Sequence, residues 1–120
     1  MPHCILDYSS NISDIPDFNH LFIELHEALA ATGEFSISDF KSRAICHDHF
    51  VIADGDRNKT FVALEICILD GRSDQIKTKI SDIAMQLLER YFLRSRDLKN
   101  CSITTRISDI HRASYKKLKS

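Results

Sequence analysis

Hydrophobic positions along the chain change period several times, and each change marks an element. Phe18, Leu21, Phe22, Leu25 and Leu29 recur at spacings of three and four, one stripe of an amphipathic helix. Its start falls within Ser13 to Asp17, where Ser and Asp can cap and Pro16 suits a first turn; Gly33 supplies the stop. A second helix carries Ile76, Ile80, Ile83, Ala84, Leu87, Leu88, Tyr91 and Phe92 on one face, with Ser73 as N-cap. Four β-type runs surround these helices: Pro2–Tyr8, Lys41–His49, Thr60–Leu69 and Cys101–Ile107. Strand, helix, strand therefore occurs twice, with Ala53-Asp54-Gly55-Asp56 as the turn between the halves. This predicts an α+β fold of duplicated βαβ units, each crossover helix implying a parallel pair of strands. The result is a four-stranded mixed sheet with two helices on one face.

The run Thr60–Leu69 is apolar on both sides. Val62, Leu64, Ile66 and Ile68 line one, and Phe61, Ala63, Cys67 and Leu69 the other, interrupted by Glu65. Such a strand needs cover on both faces, and two helices cover only one. The bare face is expected to meet sister subunits. At 120 residues the chain forms a single domain spanning 1–120, small enough to gain from assembly.

Composition narrows the partners. Apolar residues make up 43% and charged residues 28%, ordinary for a soluble globular protein. A net charge of −1 gives no electrostatic case for nucleic acid or a membrane surface. The chain has no apolar run of spanning length, and Met-Pro-His-Cys lacks the basic start of a signal peptide, which makes the cytoplasm the default. Cys4, Cys46, Cys67 and Cys101 are scattered and read as free buried thiols. The basic tail, Arg112, Lys116, Lys117 and Lys119, reads as a solvated run.

Candidate chemistry is sparse. Cys46-His47-Asp48-His49 would aim His47 and His49 to one side of a strand, but no second cluster supplies a third ligand, so no metal is expected. His20 and His26 read as solvent-facing or as satisfied at the core edge. Arg72 precedes the second helix, whose free N–H groups favour a carboxylate. Alternation puts Lys41 and Arg43 on one side of their strand as a small cationic patch. Two cationic spots fit an anionic substrate. Pro2 has no N–H to pair, so it is tolerated only at a strand's first position or an edge. Removal of Met1 would make it a stiff secondary amine, and desolvation and nearby cations lower an amine's pKa toward the value a general base needs.

Together, Met1-Pro2-His3, Leu29-Ala30-Ala31-Thr32-Gly33 with Phe35, Ser42-Arg43, Ala53-Asp54-Gly55 and Gly71-Arg72-Ser73 resemble, in order and spacing, the tautomerase superfamily and specifically the 5-carboxymethyl-2-hydroxymuconate isomerases. The resemblance runs from Pro2 to about Ile110. It implies a homotrimer with sites at subunit boundaries, and a cofactor-free isomerase acting on a small unsaturated di- or tricarboxylate in homoprotocatechuate breakdown. It also implies Pro2 as proton shuttle and Arg72, Lys41 and Arg43 as substrate-binding residues. The family pattern usually reads Arg-Ser-Arg where this chain has Lys41-Ser42-Arg43; lysine keeps the charge but loses the planar fork. A non-catalytic binding protein of the same fold is the alternative reading. With Met1 attached, Pro2 nitrogen is an amide and cannot act as a base.

Overall fold

The computed structural model describes residues 1–98 and 100–119. Strand β1 (His3–Ser9) is followed by helix α1 (Phe18–Ala30), a 3-10 turn at Ile37–Asp39, and strand β2 (Lys41–His47). The second half has strand β3 (Thr60–Leu69), helix α2 (Asp74–Tyr91), a short helix α3 (Leu93–Leu98), strand β4 (Cys101–Ile110) and a 3-10 turn at Arg112–Ser114. Sheet order is β2-β1-β3-β4, with β1/β2 and β3/β4 parallel and β1/β3 antiparallel. Each predicted βαβ unit is present, and the two lie side by side through their first strands.

Side-chain period explains the layers. Cys4 and Leu6 of β1 and Val62, Leu64, Ile66 and Ile68 of β3 are buried on the helix side of the sheet. They meet Leu21, Phe22, Leu25 and Leu29 of α1 and Ile80, Ala84, Leu87 and Leu88 of α2. The cap of α1 is Asp17, whose side chain accepts from the amides of Asn19 and His20; Pro16 sits just before the cap and outside the first turn. Gly33 follows the helix at φ 84°, left-handed backbone that glycine adopts without Cβ strain. Ser73 caps α2 by accepting from Ile76 N, as expected.

Several expectations need correction. Strand β2 stops at His47 because its partner β1 ends at Ser9, the residue it faces there; Ser10 N closes the ladder on His47 O at 3.0 Å. His49 is therefore outside the strand and shares no face with His47, whose Nε2 lies 2.7 Å from Asp7 Oδ1. Among the described residues no three His, Cys, Asp or Glu side chains gather as metal ligands. Strand β4 runs three residues beyond Ile107, because β3 pairs with it as far as Leu69–Ile110. All four cysteines are free, but only Cys4 is buried, its thiol pushed up to about 11 by desolvation; Cys46 is exposed. The face of the sheet away from the helices is also more polar than expected. Beside Ile5 and the half-buried side chains of β3 it carries the pairs His47–Asp7 and Arg106–Glu65, the latter at 3.1 Å.

Candidate active site

Pro2 stands one residue before β1 and is buried. Without an N–H of its own, it joins the sheet through its carbonyl, which accepts from Lys41 N at 3.1 Å. This fixes the ring at the start of the two parallel strands. The Met1 amine donates to Asp39 O at 3.2 Å.

Beside Met1 opens a cavity of about 350 Å³, at the small end of ligand-sized sites. The loop after α1 supplies Glu34, Phe35, Ser36 and Asp39 to its wall, the end of β3 supplies Ile68 and Leu69, and the β3–α2 turn supplies Arg72. Arg112, Tyr115 and Lys117 close it from the C-terminal segment. That segment is tied down at two points. Arg112 Nη2 donates to Asp70 O at 2.9 Å, and Tyr115 OH lies 3.2 Å from His3 Nε2.

Arg72 does not offer its whole fork. Its Nε donates to Glu34 Oε1 at 3.1 Å, Nη2 to Glu34 O at 2.9 Å and Nη1 to Leu69 O at 3.4 Å. Its guanidinium also lies over the Phe35 ring, 4.6 Å from the centroid. Three of five N–H groups are spent in holding the loop, which leaves one on each Nη for a ligand oxygen. The carboxylate site expected at the α2 N-terminus is modified accordingly: Ser73 Oγ occupies the cap, and Arg72 faces the loop.

Charge gathers around the chain start. The Met1 amine is lowered from its ordinary value, first by desolvation and then by Lys41 and Lys117, with Asp39 opposing. His3 is lowered as well, by burial and then by the Met1 amine, Arg43, Lys41 and Lys117. Lys41 and Arg43 share a face with His3 and Ile5, as alternation predicted, but both are exposed and neither lines the cavity. Of the side chains singled out in the sequence, Arg72 is in the wall, Pro2 is adjacent through Met1, and Lys41 and Arg43 stand on the neighbouring edge strand. His26 Nε2 meets Ser42 Oγ at 2.6 Å and stacks on Phe40, a satisfied core-edge histidine.

Sequence reading missed Glu34, Asp39, Arg112, Tyr115 and Lys117. The charged tail has no period, and a basic run is usually solvated. Local alternation gives no signal there, since Ile107-Ser108-Asp109-Ile110 breaks the pattern; pairing with β3 as far as Ile110 is what carries the tail back to the cavity.

A family model described as 5-carboxymethyl-2-hydroxymuconate isomerase matches residues 2–119. The chain belongs to this isomerase family. The match passes Ile110, where the motif resemblance ended, and takes in Arg112, Tyr115 and Lys117. A curated relative, the 5-carboxymethyl-2-hydroxymuconate Delta-isomerase of Escherichia coli, is 28% identical over 111 residues, covering 92% of this chain and 88% of the relative. The crystal structure of a 5-carboxymethyl-2-hydroxymuconate isomerase from Deinococcus radiodurans R1 superposes with a TM-score of 0.90 at 25% identity, over 99% of this chain and 90% of that one. The tautomerase fold extends more widely. A "fused 4-OT wild type symmetric trimer" matches at TM-score 0.73 and 12% identity, over 96% of this chain and 90% of that one.

Proposed function

We propose that this isomerase moves a proton within 5-carboxymethyl-2-hydroxymuconate or a closely related dienol carboxylate, with Pro2 as the group that carries it. The amine takes the 2-hydroxyl proton, and the O–H electron pair becomes the C2=O bond. The two double bonds then collapse to one between C3 and C4, and the electron pair released at C5 takes the proton back from Pro2. The product is the 2-oxo-3-ene isomer, with no atom gained or lost. Arg72 would hold a substrate carboxylate and steady the dienolate charge, with Lys41 and Arg43 contributing from the edge strand. The reaction would serve homoprotocatechuate breakdown in the cytoplasm, by a trimer with its sites at subunit boundaries.

The observation that carries this reading is a buried proline at the chain start, next to a cavity with three cationic residues in its wall, in a chain of the isomerase family. The local electrostatics support it, since burial and nearby lysines lower the Met1 amine, one residue before Pro2. Intact-mass measurement should find Met1 absent from the active protein. That protein should accelerate ketonisation of 2-hydroxymuconate, followed by ultraviolet absorbance. Pro2→Ala should lower kcat by about a hundredfold or more, the share a positioned general base supplies. Met1-free protein that accelerates no such dienol would favour the binding-protein reading instead.

A further inference from the structure

Three cations line the cavity, and they differ in how far they are already occupied. Arg72 is bound to Glu34 by two hydrogen bonds. Arg112 is folded onto Asp70, with Nη2 2.9 Å from the carbonyl and Nε 3.6 Å from Oδ1. Lys117 makes one loose approach, its Nζ standing 3.8 Å from Asp39 Oδ1. That is beyond hydrogen-bond distance, so the ammonium keeps its three donors for another group. Its side chain is 37% exposed, open enough for a ligand to reach. Asp39 also links it to the chain start, since its carbonyl accepts from the Met1 amine at 3.2 Å. Lys117 thus stands at the residue that also holds the chain start.

We propose that Lys117, carried into the cavity by the C-terminal segment, binds the carboxymethyl carboxylate of the substrate and selects for that arm. This rests on the isomerase reading of the site. The carbon that takes the proton from Pro2 is C5, and the carboxymethyl arm is attached to that carbon. A carboxylate one methylene from C5 must lie close to the amine when the proton moves. Lys117, which shares Asp39 with the Met1 amine, meets that requirement, and Arg72, held on Glu34 and Leu69, suits a terminal carboxylate. A tail anchored by Arg112 and Tyr115 holds the ammonium where a free terminus would not.

The test separates the arm from the rest of the substrate. With 5-carboxymethyl-2-hydroxymuconate, Lys117→Gln should raise KM about tenfold at little changed kcat, the loss of one charge-assisted hydrogen bond. With 2-hydroxymuconate, which lacks the arm, KM should stay within about twofold, and Lys117→Arg should restore most of the loss. Equal losses on both substrates, or none on either, would overturn the proposal. Calorimetric binding of tricarballylate and glutarate, neither of which tautomerises, reads the same contact without turnover. Wild-type protein should prefer the tricarboxylate and Lys117→Gln should lose that preference; a wild type without preference, or a variant that keeps it, overturns the assignment. If no dienol is turned over, the isomerase reading fails and the calorimetry alone decides Lys117.

Discussion

An amine works as a base at neutral pH only if something holds its pKa down, and the residues at the chain start do so by two means. Burial disfavours the ammonium at Met1, and Lys41 and Lys117 repel it. In a chain processed to begin at Pro2, as proposed, the same surroundings would act on the Pro2 amine. The sign follows directly: a neighbouring cation lowers an amine's pKa, so its removal raises that pKa and leaves less free base at a given pH. Lys41→Gln is therefore expected to move the acid limb of the kcat/KM profile to higher pH, while Lys41→Arg, which keeps the charge, leaves the limb in place. A Lys41→Gln limb that does not move would confine this lysine to a role outside the field of the base. Lys41 was legible as a cation beside its strand partner. Its action on the amine was not, because parallel pairing of β1 with β2 is what brings position 41 opposite position 3.

Among the elements, both long helices and the central strands β1 and β3 follow from period, since each buries a stripe against one core, and the edge strands β2 and β4 lay half-buried side chains such as Ala44 and Ile103 beside it. Helix α3 does not. Leu-Arg-Ser-Arg-Asp-Leu has no apolar stripe, and six residues are too few to hold a helix in isolation. Its support comes from some eighty positions earlier. Asp14 accepts from Arg94 N at 3.0 Å and Ser95 N at 3.1 Å, capping the helix from outside it. The buried Ser95 hydroxyl bonds to that same carboxylate and accepts from Ser13 N at 2.9 Å and Asp14 N at 3.2 Å. No local sequence rule finds a cap so remote in the chain. Asp14→Ala should cost roughly 1–2 kcal/mol in denaturant unfolding, the usual worth of a lost cap. Asp14→Asn, which can still accept, should recover part of it. A loss below a few tenths would mean that α3 is held by its packing instead. The tail was hidden for a related reason: its charges look solvated until β4 delivers them to the cavity.

For the whole molecule the open question is what covers the second face of the sheet. Phe61, Ala63, Cys67 and Leu69 of the central strand β3 are only half-buried there, with Glu65 between them. Glu65 interrupts the apolar pattern, yet it is not stranded: Arg106 Nη2 lies 3.1 Å away and Ser108 Oγ donates to it at 2.6 Å. A half-buried apolar strip whose one charge is satisfied within the chain suits the core of an interface. Sister subunits of the proposed trimer are the natural cover, and the site at the end of this face would then be completed at a boundary. Ala63 tests it. It lines a hollow of about 290 Å³ on this face with Asp7, Glu65, Thr104 and Arg106. In a lone subunit Ala63→Arg would project into water and leave the helix-side core untouched. In the trimer the same bulky charge would be driven into the subunit contact, where its volume and desolvation would cost several kcal/mol per subunit even with Asp7 and Glu65 beside it. Light scattering should therefore fall from three subunit masses to one while the circular dichroism of the fold is kept, and isomerisation should fall in parallel. A variant that stays trimeric would place the subunit contact elsewhere. One that dissociates yet keeps full activity would show that each site is complete within its own chain.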